Sequence, residues 1–141
     1  MIAELLIASV MVLVTVSLHA GGLTLLSGIV RRRLRNRAGR LYLHTPRAVV
    51  SLVLGLFLLH GLEIWLYALL YWQLGAIPDL RGSVYFSTTS YGAIGYSDHA
   101  ISPEWRLVGA IEGINGVLLI GWTTAFIVTV MSRLQRRRPH L

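Results

Sequence analysis

The sequence predicts an all-α membrane protein, with three transmembrane helices and a re-entrant segment between the second and the third. Three observations predict it. Of 141 residues, 55% are hydrophobic and 13% charged, against about 25% charge in an ordinary soluble domain. Mean hydropathy is +0.64, and a chain this short cannot withdraw so much apolar surface into a globular core. That surface lies in three long runs, and the thirteen basic residues, all Arg, stand mostly in two blocks beside them.

The runs justify the spans in order. Leu5–Val30 holds no Asp, Glu or Arg; Ala48–Gln73 holds one acid, Glu63; Leu107–Met131 holds one, Glu112. Each exceeds the roughly 20 residues that cross the hydrocarbon. At about 1.5 Å per residue each approaches 40 Å, so tilt or protruding ends are expected. Residues 1–20 lack a basic n-region and carry Glu4, and the apolar run continues to Val30. They read as a retained helix, not a cleaved signal. Pro46 suits the entry to the second span. The organisation expected is an N-terminal helix over 1–30, an Arg-rich linker over 31–47, a second unit over 48–133 and a basic tail over 134–141.

Seven Arg lie in Arg31–Arg47 and four in Arg133–Arg138. The positive-inside rule puts both blocks in the cytoplasm, which leaves the N-terminus outside and makes the chain a multi-pass protein of the cell (inner) membrane. A pI near 10.8 otherwise suggests nucleic acid. Arg blocks set directly against apolar runs argue for topology instead, and no nucleic-acid partner is expected. Arg31–Arg47 is also suited to anionic lipid headgroups, at ~1 kcal/mol per basic residue near the surface. Tyr67, Tyr71, Trp72 and Trp105 fall where an aromatic interface belt is expected. Cysteine is absent, which excludes disulfides and Cys metal sites and leaves the compartment open.

The stretch Ile77–Arg106 does not fit a span. Its uncharged part, Gly82–Ser97, is too short to cross as a helix and too apolar for an ordinary loop. A re-entrant segment and an outer-face loop stabilised by its aromatics both fit the pattern. Ser83–Tyr91 suits a short helix with Ser83 as N-cap. Gly92 and Gly95 then permit backbone angles that other residues resist.

These residues carry a family resemblance. From Tyr85 the chain reads YFSTTSYGAIGYSD, which resembles the YFSxxTxTTVGYGD pattern of the two-helix pore module of the potassium channel superfamily, of the small bacterial ion-channel type. Tyr85, Phe86, Ser87, Gly95, Tyr96 and Asp98 match identically, and Ile94 replaces valine. The resemblance covers about residues 48–133 and leaves the first span outside. It implies an outer helix over 48–73, a pore helix over 83–92, a filter loop over 93–98 and an inner helix over 107–131. It further implies an ion-binding filter of Ala93, Ile94, Gly95, Tyr96 and Ser97, with potassium as the metal ion held by backbone carbonyls. Tyr85, Thr89 and Asp98 would support that filter. Gly116 takes the gating-hinge position, with close packing as the simpler account of any one glycine here. Four copies of the chain must surround one axis, so the implied function is a homotetrameric cation channel conducting potassium passively. Two departures, Ala93 for the filter threonine and Ser97 for its last glycine, imply reduced selectivity, with sodium as the alternative permeant ion. No cofactor is implied. A rival register over Thr88–Gly92 leaves too little chain for a pore helix.

The residues also nominate intramembrane polar groups. Ionisable side chains within spans are functional candidates, and here they are His19, His60, Glu63 and Glu112. Glu63 and Glu112 lie at comparable depth, and His60 shares a face with Glu63 at i, i+3. A cluster behind the pore helix follows, with Glu112, Asn115 or pore-helix hydroxyls as partners and Glu63 and Glu112 bracing the filter. His19 is expected to be satisfied on its own. Thr123, Thr124 and Thr129 either line the inner pore or bond their own helix. Gly109 and Gly113 form a small-xxx-small pair. His60-x-x-Glu63 has no third ligand nearby in sequence, and P-loop, dinucleotide and HExxH motifs are absent. No enzyme is expected. The alternative function is a non-conducting membrane subunit or scaffold that keeps the pore-module fold.

Overall fold

The computed structural model describes residues 1–35, 46–95 and 99–135. They form α1 (Ile2–Arg35), α2 (Pro46–Gln73), α3 (Leu80–Tyr91) and α4 (Arg106–Gln135), with one 3-10 turn at Pro103–Trp105 before α4. Three of the helices, all but α3, are long and apolar enough to cross a membrane. The helices of α1 and α4 run past the apolar stretches into their Arg residues, since Arg is a good helix former and the basic C-terminal turn suits the helix dipole. Most of the 31–47 linker and of the basic tail lies outside the described residues.

Asp79 starts α3, not Ser83. The extended Asp79 accepts from the Gly82 amide at 2.8 Å. Ser83 is already helical and fully buried, and its hydroxyl donates to the Asp79 carbonyl at 2.9 Å. The helix therefore begins four residues earlier than the Ser83 cap implies. A carboxylate at an N-cap also complements the dipole, which the hydroxyl of Ser83 does not. Before it, α2 ends in a turn in which Gly75 takes φ +64. After it, the Ser102 amide donates to the Ala76 carbonyl at 3.0 Å. The segment from 77 to 101 thus leaves and rejoins the chain at one place.

The main core gathers at that place. Tyr67 and Tyr71 of α2, Phe86 of α3, Val108 of α4, Ile77 and Ile101 pack together with Ala8 of α1. Tyr67 and Tyr71 are fully buried, which corrects the interface-belt expectation for these two. Their rings stack, and Tyr71 meets Phe86 edge-on with centroids 5.2 Å apart. Trp72 remains exposed. Lower down, Leu23 packs on Leu56 and Leu59. Large apolar side chains such as Leu13, Phe57 and Leu58 stay exposed, as suits helices that face lipid.

Candidate functional site

The site is built around the C-terminal half of α3, held between α2 and α4. Along α4, glycines at 109, 113 and 116 fall on one face. Ser90 donates its hydroxyl to the Gly109 carbonyl at 2.7 Å. A Cβ added at Gly113 would meet the Ser90 carbonyl oxygen at 3.2 Å, and one at Gly116 would meet the Tyr91 carbonyl oxygen at 2.2 Å. The partner of this glycine stripe is therefore α3. Gly116 is required by backbone contact with Tyr91, which agrees with the close packing expected beside its hinge position.

Three polar layers fill the space behind α3. In the first, the Tyr71 hydroxyl donates to Glu112 Oε2 at 2.7 Å. Ser87 Oγ lies 2.5 Å from Glu112 Oε1 and 2.9 Å from the Ile64 carbonyl oxygen. In the second, Asn115 Nδ2 donates to Thr15 Oγ1 at 2.8 Å and reaches the Tyr67 hydroxyl at 3.4 Å. In the third, Glu63 Oε1 lies 2.9 Å from His19 Nδ1, and Glu63 Oε2 accepts from the Tyr91 hydroxyl. His60 Nδ1 lies 2.8 Å from that hydroxyl, and His60 Nε2 lies 2.9 Å from Thr123 Oγ1. Thr123 Oγ1 in turn lies 3.2 Å from His19 Nε2. Glu63, His19, Thr123, His60 and Tyr91 thus close a five-membered hydrogen-bonded ring, and all but His60 are buried.

This arrangement corrects the single cluster expected from sequence. Glu112 and Asn115 belong to separate layers and do not partner Glu63. His19 does, although it was expected to stand alone, and it sets a third potential ligand residue beside His60-x-x-Glu63. The pore-helix hydroxyls expected as partners are Tyr91 for Glu63 and Ser87 for Glu112, and Thr123 was missed in this role. One signal was present: Thr15 and His19, at i, i+4, put two polar groups on one face of an otherwise apolar helix. Thr124 and Thr129 bond the carbonyls four residues back, at 3.0 and 2.8 Å.

Past α3 the chain tightens. The amides of Gly92 and Ala93 donate to the carbonyls of Thr88 and Ser90, and those of Ile94 and Gly95 to the Thr89 carbonyl. Thr89 is buried and its hydroxyl bonds back to Tyr85 and Phe86. Ala93 takes φ +52 and Gly95 φ +101. Ile94 is 76% exposed and Tyr85 71% exposed; Tyr85 shares a groove with Thr89, Gly95 and His99. Thr88–Tyr91 are helical, which removes the rival register as an extended filter strand. Tyr96, Ser97 and Asp98, the remaining filter and support candidates, lie outside the described residues.

A family model described as "Ion channel" matches residues 51–133, well over half of the chain. The chain belongs to this ion channel family. The match supports a potassium-channel-type pore module spanning α2, α3 and α4, and α1 precedes it. Family membership implies transport, not catalysis, in a multi-pass membrane protein. No curated protein and no solved structure was found to match at a significant level.

Proposed function

We propose that the chain is one subunit of a homotetrameric cation channel. In this reading α2 is the outer helix, α3 a re-entrant pore helix, residues 93–97 the filter and α4 the inner helix. One observation carries it. Helix α3 ends with Tyr91 on Glu63, ten residues short of the Gln73 end of α2, which is about 15 Å of helix. By Ser102 the chain is back at Ala76. A helix of 12 residues is about 18 Å long and cannot cross the hydrocarbon. Irregular backbone at that depth is tolerated only against protein or along a water path.

The electrostatics agree. The negative end of the α3 dipole faces residues 93–95, which favours a cation there. The amides of residues 92–95 are taken up by α3, so carbonyl oxygens are what the segment offers an ion. Gly109, Gly113, Ile114 and Val117 of α4 join Ala93 and Gly95 along an open apolar groove, suited to the wall of an inner cavity. Potassium is the default ion, with selectivity reduced by Ala93 and Ser97. The Arg blocks favour an N-out, C-in orientation in the cell membrane, with Arg31–Arg47 near anionic headgroups.

The test is reconstitution of the purified chain in liposomes with potassium and sodium flux measured separately. Flux of potassium above sodium from a cross-linked, verified tetramer is expected. A tetramer that passes neither ion overturns the channel and returns the scaffold reading.

A further inference from the structure

The ring around Glu63 gathers three potential ligand residues, His19, His60 and Glu63, and sets the Tyr91 oxygen against two of them. We propose that His19, His60, Glu63 and Tyr91 form a binding site for a divalent transition-metal ion of the zinc class. All four described α-helices contribute to it. His19 comes from α1, His60 and Glu63 from one face of α2, and Tyr91 is the last residue of α3. Helix α4 contributes Thr123 behind the ligands.

The geometry is the first argument. One ligand atom from each of His19, His60 and Glu63 lies within 4.8 Å of the others. His19 Nδ1 is 2.9 Å from Glu63 Oε1, and His60 Nδ1 is 3.3 Å from Glu63 Oε2 and 2.8 Å from the Tyr91 oxygen. Zinc–ligand bonds of about 2.0–2.1 Å set neighbouring ligands of a tetrahedron about 3.3 Å apart. The three separations differ from that spacing by at most about 0.5 Å. Nitrogen and oxygen donors in fourfold array suit zinc among the common divalent ions.

The second argument is the orientation of the two imidazoles. Both turn Nδ1 toward Glu63 and Tyr91, and both turn Nε2 toward the same oxygen, Thr123 Oγ1. That oxygen has two acceptor positions. It can take an N–H from each ring, which leaves both Nδ1 lone pairs free to bind an ion. A shared acceptor of this kind fixes tautomer and ring orientation for metal-binding histidines.

The donor set is the third. Two imidazole nitrogens stand beside two oxygens, those of the Glu63 carboxyl and the Tyr91 phenol, which offset a cation's charge where charge is expensive. The bound ion is a structural clamp between α1 and the end of α3, distinct from any ion that permeates.

The experiment uses the full chain in detergent, purified by a tag without histidine, stripped with a chelator and then titrated with Co²⁺ as probe. One Co²⁺ per chain with a tetrahedral ligand-field band, displaced by Zn²⁺, is expected. Zn²⁺ is expected to raise the melting temperature of the wild type, reversibly with chelator. His19→Gln and Glu63→Gln should each weaken retention by at least about tenfold, and Thr123→Val by about tenfold or more. Glu112→Gln and His99→Gln should retain the ion. A wild-type chain with neither the band nor the melting shift overturns the site, even if the ligand variants fail to fold. So does undiminished retention in a folded Glu63→Gln protein, which would leave the ring a purely hydrogen-bonded brace. Conduction is not a readout, so the result stands apart from the flux test.

Discussion

Gly116 of α4 lies so close to Tyr91 of α3 that a single added methyl carbon would sit 2.2 Å from the Tyr91 carbonyl oxygen. The obstacle is backbone, which cannot rotate away. Gly116→Ala is expected to push α3 off α4, at about 1–3 kcal/mol or more for an overpacked site. Gly121, with nothing near it, is the control. A hinge-only role for Gly116 predicts altered opening with unchanged thermal stability. The packing role predicts a lowered melting temperature for Gly116→Ala and none for Gly121→Ala.

Tyr71 distinguishes an interfacial aromatic from an internal one. It is fully buried and donates to Glu112. Tyr71→Phe leaves that carboxylate oxygen without this donor, and loss of about 1–3 kcal/mol is expected. Trp72→Phe, one residue on and exposed, should cost far less. Equal melting temperatures for the two variants would argue that the Tyr71–Glu112 bond contributes nothing.

The attachment of α1 rests in part on Asn115 and Thr15. A double-mutant cycle of Thr15→Val and Asn115→Leu reads their coupling directly. Interhelical pairs of this kind in membranes average about 0.6 kcal/mol and reach about 1.7. Coupling within that range is expected from unfolding in mixed micelles. Strict additivity would mean that the pair does not hold α1.

At the start of α3, Asp79→Ala removes the cap and should destabilise by about 1 kcal/mol. Ser83→Ala removes a hydroxyl that only bonds back one turn, and a smaller loss is expected. The reverse order in thermal melts would restore Ser83 as the cap.

Ala93 carries a positive φ, and a β-branched residue resists that conformation. Restoring the family threonine by Ala93→Thr alone is therefore expected to cost about 1–3 kcal/mol, while Ala93→Gly is tolerated. The alanine suits this backbone, which makes the departure from the family pattern a matched one. Ala93→Thr combined with Ser97→Gly is the permeability test. A raised potassium-to-sodium permeability ratio is expected, and an unchanged ratio counts against residues 93–97 as the filter.

The long helices were legible because three charge-poor runs longer than a bilayer leave the backbone no other choice. The short helix was legible because Ser83–Tyr91 lacks Gly and Pro and is followed at once by Gly92. Its first turn was misread, since an Asp and a Ser four residues apart are both good caps. The polar layers were the least legible part. Whether Glu63 meets Glu112 or His19 depends on how each helix is rotated, and a uniformly apolar helix carries little signal for that. Sequence distance also hid the third potential ligand residue: His19 and Glu63 are 44 residues apart. Tyr67 and Tyr71 looked interfacial because position along the span was readable while the direction of the side chain was not.

The side chains that α1 lends to the interior bear on what counts as a transferable part. The matched segment, residues 51–133, looks like a cassette that could be cut out and inserted into another membrane protein. Excised on its own it would surrender Thr15 and His19, leaving the amide of Asn115 only its longer contact with the Tyr67 hydroxyl and depriving one oxygen of Glu63 of its imidazole partner in a greasy environment. The portable unit is larger than the recognisable one. Any chimera that borrows this pore must bring the preceding helix with it.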